Sequence, residues 1–400
     1  MTGPVQATYR LLRTFVHIMN APGLESPYPS PRARSRVRLA VVGLGRMGKV
    51  HASNIISRCS AGELAYVYDP NSDVARAAAD ELGARTAPSF EALLDDAGTD
   101  AIVIASPTGS HAELALQAAR AGKHIFCEKP ISLDRAATLE VLRTVEQTGV
   151  LFQVGFHRRF DPAFAAAAER LRRGELGEIY LLRASLRDMA PPRPKFLAGS
   201  GGIFVDMGIH DFDAARSLAG EVVAVSAYGS ALSSPGFAEV GDCDTAVAVM
   251  NFASGALGVL DLSRVAGYGY EASMEVMGSK ATVRLDDPFS QRYEWLVPGA
   301  ATRPLVTTFD QRYKAAFEAE MAHFATCARD GTPPLVGAHD ALAAFDIAQA
   351  AQESWRLGKR VPVPHDGSTA VGTAAAPRAG VPGDQRSQRT ELNRERGALK

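Results

Sequence analysis

Residues 38–51 read RLAVVGLGRMGKVH, and they decide the fold. Arg38–Val42 is apolar with almost no alternation, the pattern of a strand buried on both faces of a sheet. Gly43-Leu44-Gly45-Arg46-Met47-Gly48 follows at once, and a helix-compatible run continues through Ile56. A strand, a turn with glycine at its first, third and sixth places, and a helix make a dinucleotide-binding signature. Gly43 permits the tight turn, Gly45 lets backbone approach a pyrophosphate, and Gly48 lets the helix pack close to the strand. The helix N-terminus offers N–H groups and partial positive charge to phosphates. Arg46 and Met47, inside the turn, join the cofactor contacts.

Such a turn also occurs in other α/β proteins, so its surroundings matter. The next strand, Glu63–Tyr68, ends in Asp69. It lies about twenty residues past the turn, where an acid holds the adenosine ribose hydroxyls. An acid there repels a 2′-phosphate and no arginine directly follows it, so NAD is favoured over NADP. Arg46 keeps NADP use open.

Farther out, the chain alternates strand and helix. Strands are predicted at 38–43, 63–69, 101–106, 124–127 and 151–155, and helices at 46–58, 72–82, 89–95, 110–121 and 134–148. This alternation means right-handed crossovers and a doubly wound parallel sheet. Ser106-Pro107-Thr108 lies at a strand's carboxyl end, where ligands of open α/β sheets sit; it reads equally as a turn or as a cofactor contact. Beyond Phe156, strands at 178–187, 222–231, 243–252, 255–264, 271–277 and 281–286 come with few helices between them. A hairpin is signalled at Ala253-Ser254-Gly255. A second, α+β domain with a large, mainly antiparallel open sheet is expected, closed by helices at 309–329 and 339–357 that pack back on the first domain. The domains run 37–156 and 157–363. Residues 1–36, arginine-rich without Asp or Lys, read as a disordered or mis-started extension, and 364–400 as a disordered tail.

The totals exclude several classes. With 400 residues, 46% hydrophobic content and a net charge of −1, about two globular domains are expected, without charge suited to nucleic acid or an anionic membrane. No apolar run approaches a membrane span. Cys59, Cys127, Cys243 and Cys327 have no metal-ligand spacing, so no metal is expected and reduced thiols are.

Three places carry candidate chemistry. In Cys127-Glu128-Lys129-Pro130, a lysine at a strand's carboxyl end level with the glycine turn points into the crevice. Its ammonium suits a substrate hydroxyl and favours the alkoxide; a surface lysine has the same signature. In Gly201–Asp213, Asp206, His210 and Asp213 share a helical stripe at i, i+4 and i+7. A carboxylate one turn from an imidazole suits proton removal from an alcohol, and equally a solvated ion pair. Arg158, Arg187-Asp188 and Tyr268-Gly269-Tyr270 are polar groups that suit a polyol, or surface salt bridges and half-buried tyrosines.

Together these residues resemble the glucose-fructose oxidoreductase / inositol dehydrogenase / rhizopine catabolism family of NAD(P)-dependent sugar and polyol oxidoreductases, over roughly Arg38 to Val363. Glu128-Lys129-Pro130 and Asp206-x-x-x-His210 carry the resemblance jointly. GFHRRFD at 155–161, RDMAPP at 187–192, SGGIFVDMGIHDFDAAR at 200–216, 244–261, and 263–275 with its YGYE core look like the inositol 2-dehydrogenase branch. The resemblance implies that Lys129, Asp206 and His210 are catalytic: His210 the base, Asp206 its orienting partner, Lys129 the hydroxyl anchor. Arg158, Asp188 and Tyr268 would line a polyol site, and Gly43, Gly45, Arg46, Met47, Gly48, Asp69, Ser106, Pro107, Thr108 and Glu128 would hold NAD. It further implies a cis Lys129–Pro130 bond, a homodimer or homotetramer formed through the open sheet, and a cytoplasmic enzyme. The expected reaction is oxidation of myo-inositol to its 2-keto form. Another inositol, or an aldopyranose, is the alternative within the class. A non-catalytic NAD(P)-binding regulator is the alternative outside it, opposed by the intact Lys129, Asp206 and His210. Gly208, His157 and Glu271 depart from that branch, where Thr, Asn or Met, and Asp are common.

Overall fold

The computed structural model describes residues 36–286 and 294–364. Apart from Arg36, the expected arm before Val37 lies outside the described residues, as does the tail from His365. Strand β1 (Val37–Val42) is buried along its length, as its apolar run requires. Around it β2 (Gly62–Tyr68), β3 (Arg85–Thr86), β4 (Ala101–Ile104), β5 (His124–Cys127) and β6 (Phe152–Val154) form a parallel six-stranded sheet ordered β3-β2-β1-β4-β5-β6. This is the doubly wound order with its switch point beside β1.

The crossover helices are α1 (Arg46–Arg58), α2 (Ser72–Leu82), α3 (Phe90–Asp95), α4 (His111–Arg120) and α5 (Arg135–Thr148). Asn71, Ser89 and Asp134 cap α2, α3 and α5 through side-chain oxygens that accept backbone N–H groups, as short polar residues at helix starts do. Helix α1 differs: its N-cap is Gly45, without a side-chain cap, and no acid stands in its first turn. Its positive end is left for something else.

A helix that the sequence reading missed follows, α6 (Pro162–Arg172), where Asp161 accepts from Ala163 and Phe164 N–H at 3.1 Å. The second sheet combines β7 (Ile179–Arg187), β8 (Val222–Ser230), β9 (Thr245–Phe252), β10 (Leu257–Ser263), β11 (Glu271–Gly278), β12 (Thr282–Leu285) and β13 (Val361–Pro362), in the order β12-β11-β7-β10-β9-β8-β13. Only β7 and β10 pair in parallel within this sheet, so the expected mainly antiparallel character holds. The 245–263 hairpin forms as signalled, with Gly255 at φ 89° in its turn.

One face of this sheet is packed and the other open. Leu182, Ala184, Leu186, Leu260 and Leu262 are buried beneath α7 (Ile209–Ala219) and the long C-terminal helix α9 (Ala338–Leu357). Alternate positions bear Arg183, Ser185, Val247 and Tyr228 outward, the last 69% exposed. Helix α8 (Lys314–Asp330) runs back to the first sheet, placing Met321, Phe324 and Ala325 in one core with Leu39, Ile55 and Phe126. The four cysteines are free and buried. No helix among the described residues is long and apolar enough to cross a membrane.

Candidate active site

The glycine turn fits a nucleotide for reasons visible in its packing. A Cβ on Gly43 would lie 2.4 Å from the Ser106 backbone nitrogen, and one on Gly48 would lie 1.8 Å from the Gly43 carbonyl. Those two glycines let backbone meet backbone. Around Gly45 a Cβ would meet no protein atom within 4 Å; that space faces the uncapped start of α1, which suits a pyrophosphate. Asp69 stands at the end of β2, its Oδ2 accepting from Leu44 N–H and its Oδ1 from Asn71 N–H, each at 3.0 Å, so it is held at the turn's edge. The Arg46 guanidinium lies 4.2 Å over the Phe309 ring, and Met47 is half-buried. Ser106 Oγ shares a hydrogen with Ser110 Oγ at 2.7 Å, and Pro107 and Thr108 open the short turn after β4. His111, at the start of α4, ties this turn to the next one through the carbonyls of Ser106 (2.7 Å) and Pro130 (2.9 Å).

Glu128, expected to contact the cofactor, is engaged inside the protein. It is buried, Oε1 lies 2.7 Å from His51 Nε2, and Oε2 accepts from Lys129 N–H at 3.2 Å. Burial alone would raise its proton affinity. The His51 hydrogen bond, with the charges of His51, Lys129 and His111, holds its carboxyl below the ordinary value.

Lys129 is the second residue after β5, ahead of a cis Lys129–Pro130 bond. Its Nζ donates to the Asp206 carbonyl oxygen at 2.7 Å and lies 3.5 Å from Asp206 Oδ1. Two groups 77 residues apart thus meet, one beside each sheet. Asp206 lies in a wide π-type turn, Phe204–Gly208, that leads into α7. Its Oδ2 accepts from Arg264 Nη1 at 3.0 Å. Arg264, 1% exposed, also faces Asp242 Oδ2 at 3.5 Å, and Asp242 Oδ1 accepts from Ile203 N–H at 3.0 Å. Asp188, after β7, faces this cluster. Burial pushes its carboxyl up to about 6 with help from the Asp206 charge, against the pull of Arg264, Lys129 and Arg46.

His210 is in the first turn of α7. The expected Asp206–His210 contact is not made: the carboxylate is turned to Lys129 and Arg264, and His210 Nδ1 is enclosed without a partner among the described residues. The reason is the wide turn, which departs from the 100° per residue that i, i+4 spacing presumes. Burial, then the charges of Lys129, His157 and Arg158, push the His210 imidazole well below its ordinary value. It is therefore neutral near pH 7, able to accept a proton, while the Lys129 ammonium donates beside it.

Two expected polyol contacts, Arg158 and Tyr268, have partners within the protein. Arg158 is buried, ion-paired with Asp211, and its guanidinium lies 5.5 Å over the Tyr313 ring. Beside it Arg159 Nε donates to Asp213 Oδ2 at 2.8 Å and reaches Asp340 at 3.1 Å. Both arginines fasten α7 from the turn after β6, because charges this deep must be paired. Tyr268, 52% exposed, bonds Glu271 and accepts from Arg187 Nη1 at 3.2 Å. That holds its hydroxyl in a partly exposed cluster with Arg187 and Asp261. Arg264 is the charged member of the site that sequence reading missed. Among the described residues, no group of three or more His, Cys, Asp or Glu side chains is arranged to hold a metal.

Known proteins resemble this chain over most of its described length. Residues 37–156 match an oxidoreductase family with an NAD-binding Rossmann fold, and 164–284 match the GFO/IDH/MocA C-terminal domain. The scyllo-inositol 2-dehydrogenase (NAD(+)) of Bacillus subtilis is 37% identical over 329 residues, 82% of this chain and 96% of that protein. The myo-inositol 2-dehydrogenase of Thermotoga maritima is 38% identical over 324 residues, 80% of this chain and 96% of that one. The crystal structure of scyllo-inositol dehydrogenase from Lactobacillus casei with bound NAD(H) and scyllo-inositol superposes with a TM-score of 0.77 at 31% identity, covering 82% of this chain and 99% of that one. The chain belongs to the GFO/IDH/MocA family of oxidoreductases, and its first sheet is that family's NAD-binding Rossmann unit.

Proposed function

We propose that the protein oxidises one secondary alcohol of an inositol ring, myo-inositol to its 2-keto form, with NAD as oxidant. Bound NAD supplies the hydride acceptor; Gly45 and the start of α1 hold its pyrophosphate, and Asp69 its ribose. Lys129 Nζ donates to the reacting hydroxyl and favours its alkoxide. His210 Nε2, on a neutral ring, takes the hydroxyl proton. Asp206 serves Lys129 rather than His210, fixing the ammonium through its carbonyl and carboxylate. Asp188 accepts from a neighbouring ring hydroxyl. Most of the rate is assigned to positioning, because hydride transfer needs carbon and nicotinamide in contact.

The observation that supports this reading is the 2.7 Å bond between Lys129 Nζ and the Asp206 carbonyl, which fixes an ammonium whose charge acts on the His210 imidazole. The Bacillus subtilis relative, named for scyllo-inositol, favours that isomer as the second reading. The open face of the second sheet, with Tyr228, Val247 and Leu257 exposed at 69%, 39% and 45%, supports assembly as a homodimer or homotetramer, and the enzyme is assigned to the cytoplasm. A panel of inositols and aldopyranoses, scored for NADH and NADPH formation, tests the proposal. NADH from an inositol is expected; turnover of aldopyranoses alone would overturn the substrate, and none with any polyol would overturn the activity.

A further inference from the structure

We propose that His157 is the positioning residue of His210, receiving the proton of its buried ring nitrogen in the place that spacing had given to Asp206. This rests on the reading of His210 as the base. His157 opens the short turn His157–Phe160 after β6 and is 4% exposed. Its ring centroid lies 4.7 Å from that of His210, with the planes at 60°. Tyr313 at 4.7 Å and Phe317 at 4.4 Å pack its other sides. Two enclosed nitrogens, His157 Nε2 and His210 Nδ1, have no partner among the described residues, and they belong to these adjacent rings.

The chemistry requires such a partner. To accept a proton at Nε2, His210 must keep its resting hydrogen on Nδ1, and a buried N–H left without an acceptor is costly. The Asp206 carboxylate is held by Arg264 and Lys129. With its own hydrogen on Nδ1, His157 presents Nε2 as the acceptor, closed by a small ring rotation or one water. The charged or titratable groups around the pair are Lys129 after β5, Arg158 on the same turn, His51 on α1, Arg312, Tyr313 and Asp206. Burial first, and the surrounding cations second, keep both rings neutral at rest.

As the alcohol C–H pair leaves as hydride, the O–H proton bonds to His210 Nε2. The Nδ1 hydrogen then strengthens its bond to His157 Nε2, or crosses to it. One proton enters the pair and one positive charge is shared by it; two imidazolium rings this close do not form.

Two variants of the full chain test this. His157→Phe keeps a ring and removes the acceptor; His157→Gln keeps an acceptor at similar reach. The Phe variant is expected to lose about tenfold or more in kcat, the worth of one hydrogen bond to a charged group, with KM and NADH affinity within about twofold. The acid limb of its kcat–pH profile should move to lower pH, because the protonated base has lost its acceptor. The Gln variant should recover most of the rate. Long-range ¹⁵N–¹H spectra of the histidines give a readout without turnover: Nδ1–H on His210 in wild type and the Gln variant, Nε2–H in the Phe variant. An unmoved pH profile with one tautomer throughout, or equal losses of rate, affinity and melting temperature in both variants, would overturn the proposal. If the Phe variant does not fold, His157→Met removes the same acceptor. His210→Ala separates the two readings: abolished turnover there beside a silent His157→Phe sinks only the pairing, whereas retained turnover sinks the base itself.

Discussion

Replacing Arg264 with Met should be the most destabilising single change at the site. Arg264 is 1% exposed, with Asp206 Oδ2 at 3.0 Å and Asp242 Oδ2 at 3.5 Å. Methionine fills the volume of the aliphatic stem, so little cavity is created. The loss is electrostatic: two enclosed carboxylates lose their shared cation. Breaking a buried pair in this way costs about 3–5 kcal/mol, a large part of a total stability of about 5–15 kcal/mol. At about 2–4 °C per kcal/mol for a chain of this size, melting should fall by about 6–20 °C. Thermal unfolding followed by near-UV circular dichroism reads it directly. A second change isolates the cause. In Arg264→Met/Asp242→Asn, the amide oxygen still accepts from Ile203 N–H while one orphaned charge is gone, so about 1–3 kcal/mol should return. A single variant that melts within about 2–4 °C of wild type, or a double variant no more stable than the single one, would refute the electrostatic account.

Other outcomes follow from the same geometry. Gly45→Ala should leave melting within about 2–4 °C, because backbone φ is −68° and a Cβ there meets no protein atom within 4 Å. It should still weaken NADH binding about tenfold, or 1.4 kcal/mol; unchanged binding in a fluorescence titration would remove the turn from the cofactor site. Asp69→Ser should shift the NAD/NADP ratio of kcat/KM toward NADP, and a fixed ratio would remove Asp69 from cofactor selection. Asp188 has a raised carboxyl, near 6 against 3.8, so its ionised form is lost as pH falls through about 6, and kcat/KM should fall with it. By the same sign, the raised carboxyl costs the fold stability progressively as pH rises from 3.8 to about 6, and the full cost is present above that value. Asp188→Asn should therefore flatten the acid limb and melt higher at neutral pH; a limb that persists in the variant belongs to another group.

The first sheet was legible because its information is local. Gly43 and Gly48 each answer a separate steric demand within six residues, and Leu39–Val42 is apolar because both its faces are buried. The second sheet was legible from alternation along β7 and β9–β10, where one face is core and the other open. The helix Pro162–Arg172 went unread although Asp161-Pro162 signals its start; its alanines carry little periodicity. In the site, Lys129 and Asp206 were found by their motifs. Their mutual contact was hidden, since it joins residues 77 apart. The Asp206–His210 pairing failed for a geometric reason, the π-type turn at Phe204–Gly208. The pairing of Arg158 with Asp211 was hidden for the same reason as that of Lys129 with Asp206, since the two lie 53 residues apart. Arg264, directly after β10, carries no local signal at all. Its importance comes from two carboxylates that only the folded chain brings to it.

Single-turnover reaction of the purified protein and NAD with inositol deuterated at every ring carbon tests the central claim most directly, since any ring position that reacts gives the same label. Deuterated NADH should form in equal amount to the ketone, more slowly than with unlabelled inositol, and not at all in His210→Ala that still binds NADH. Unlabelled NADH, or full turnover by that variant, would contradict hydride transfer from the ring assisted by His210.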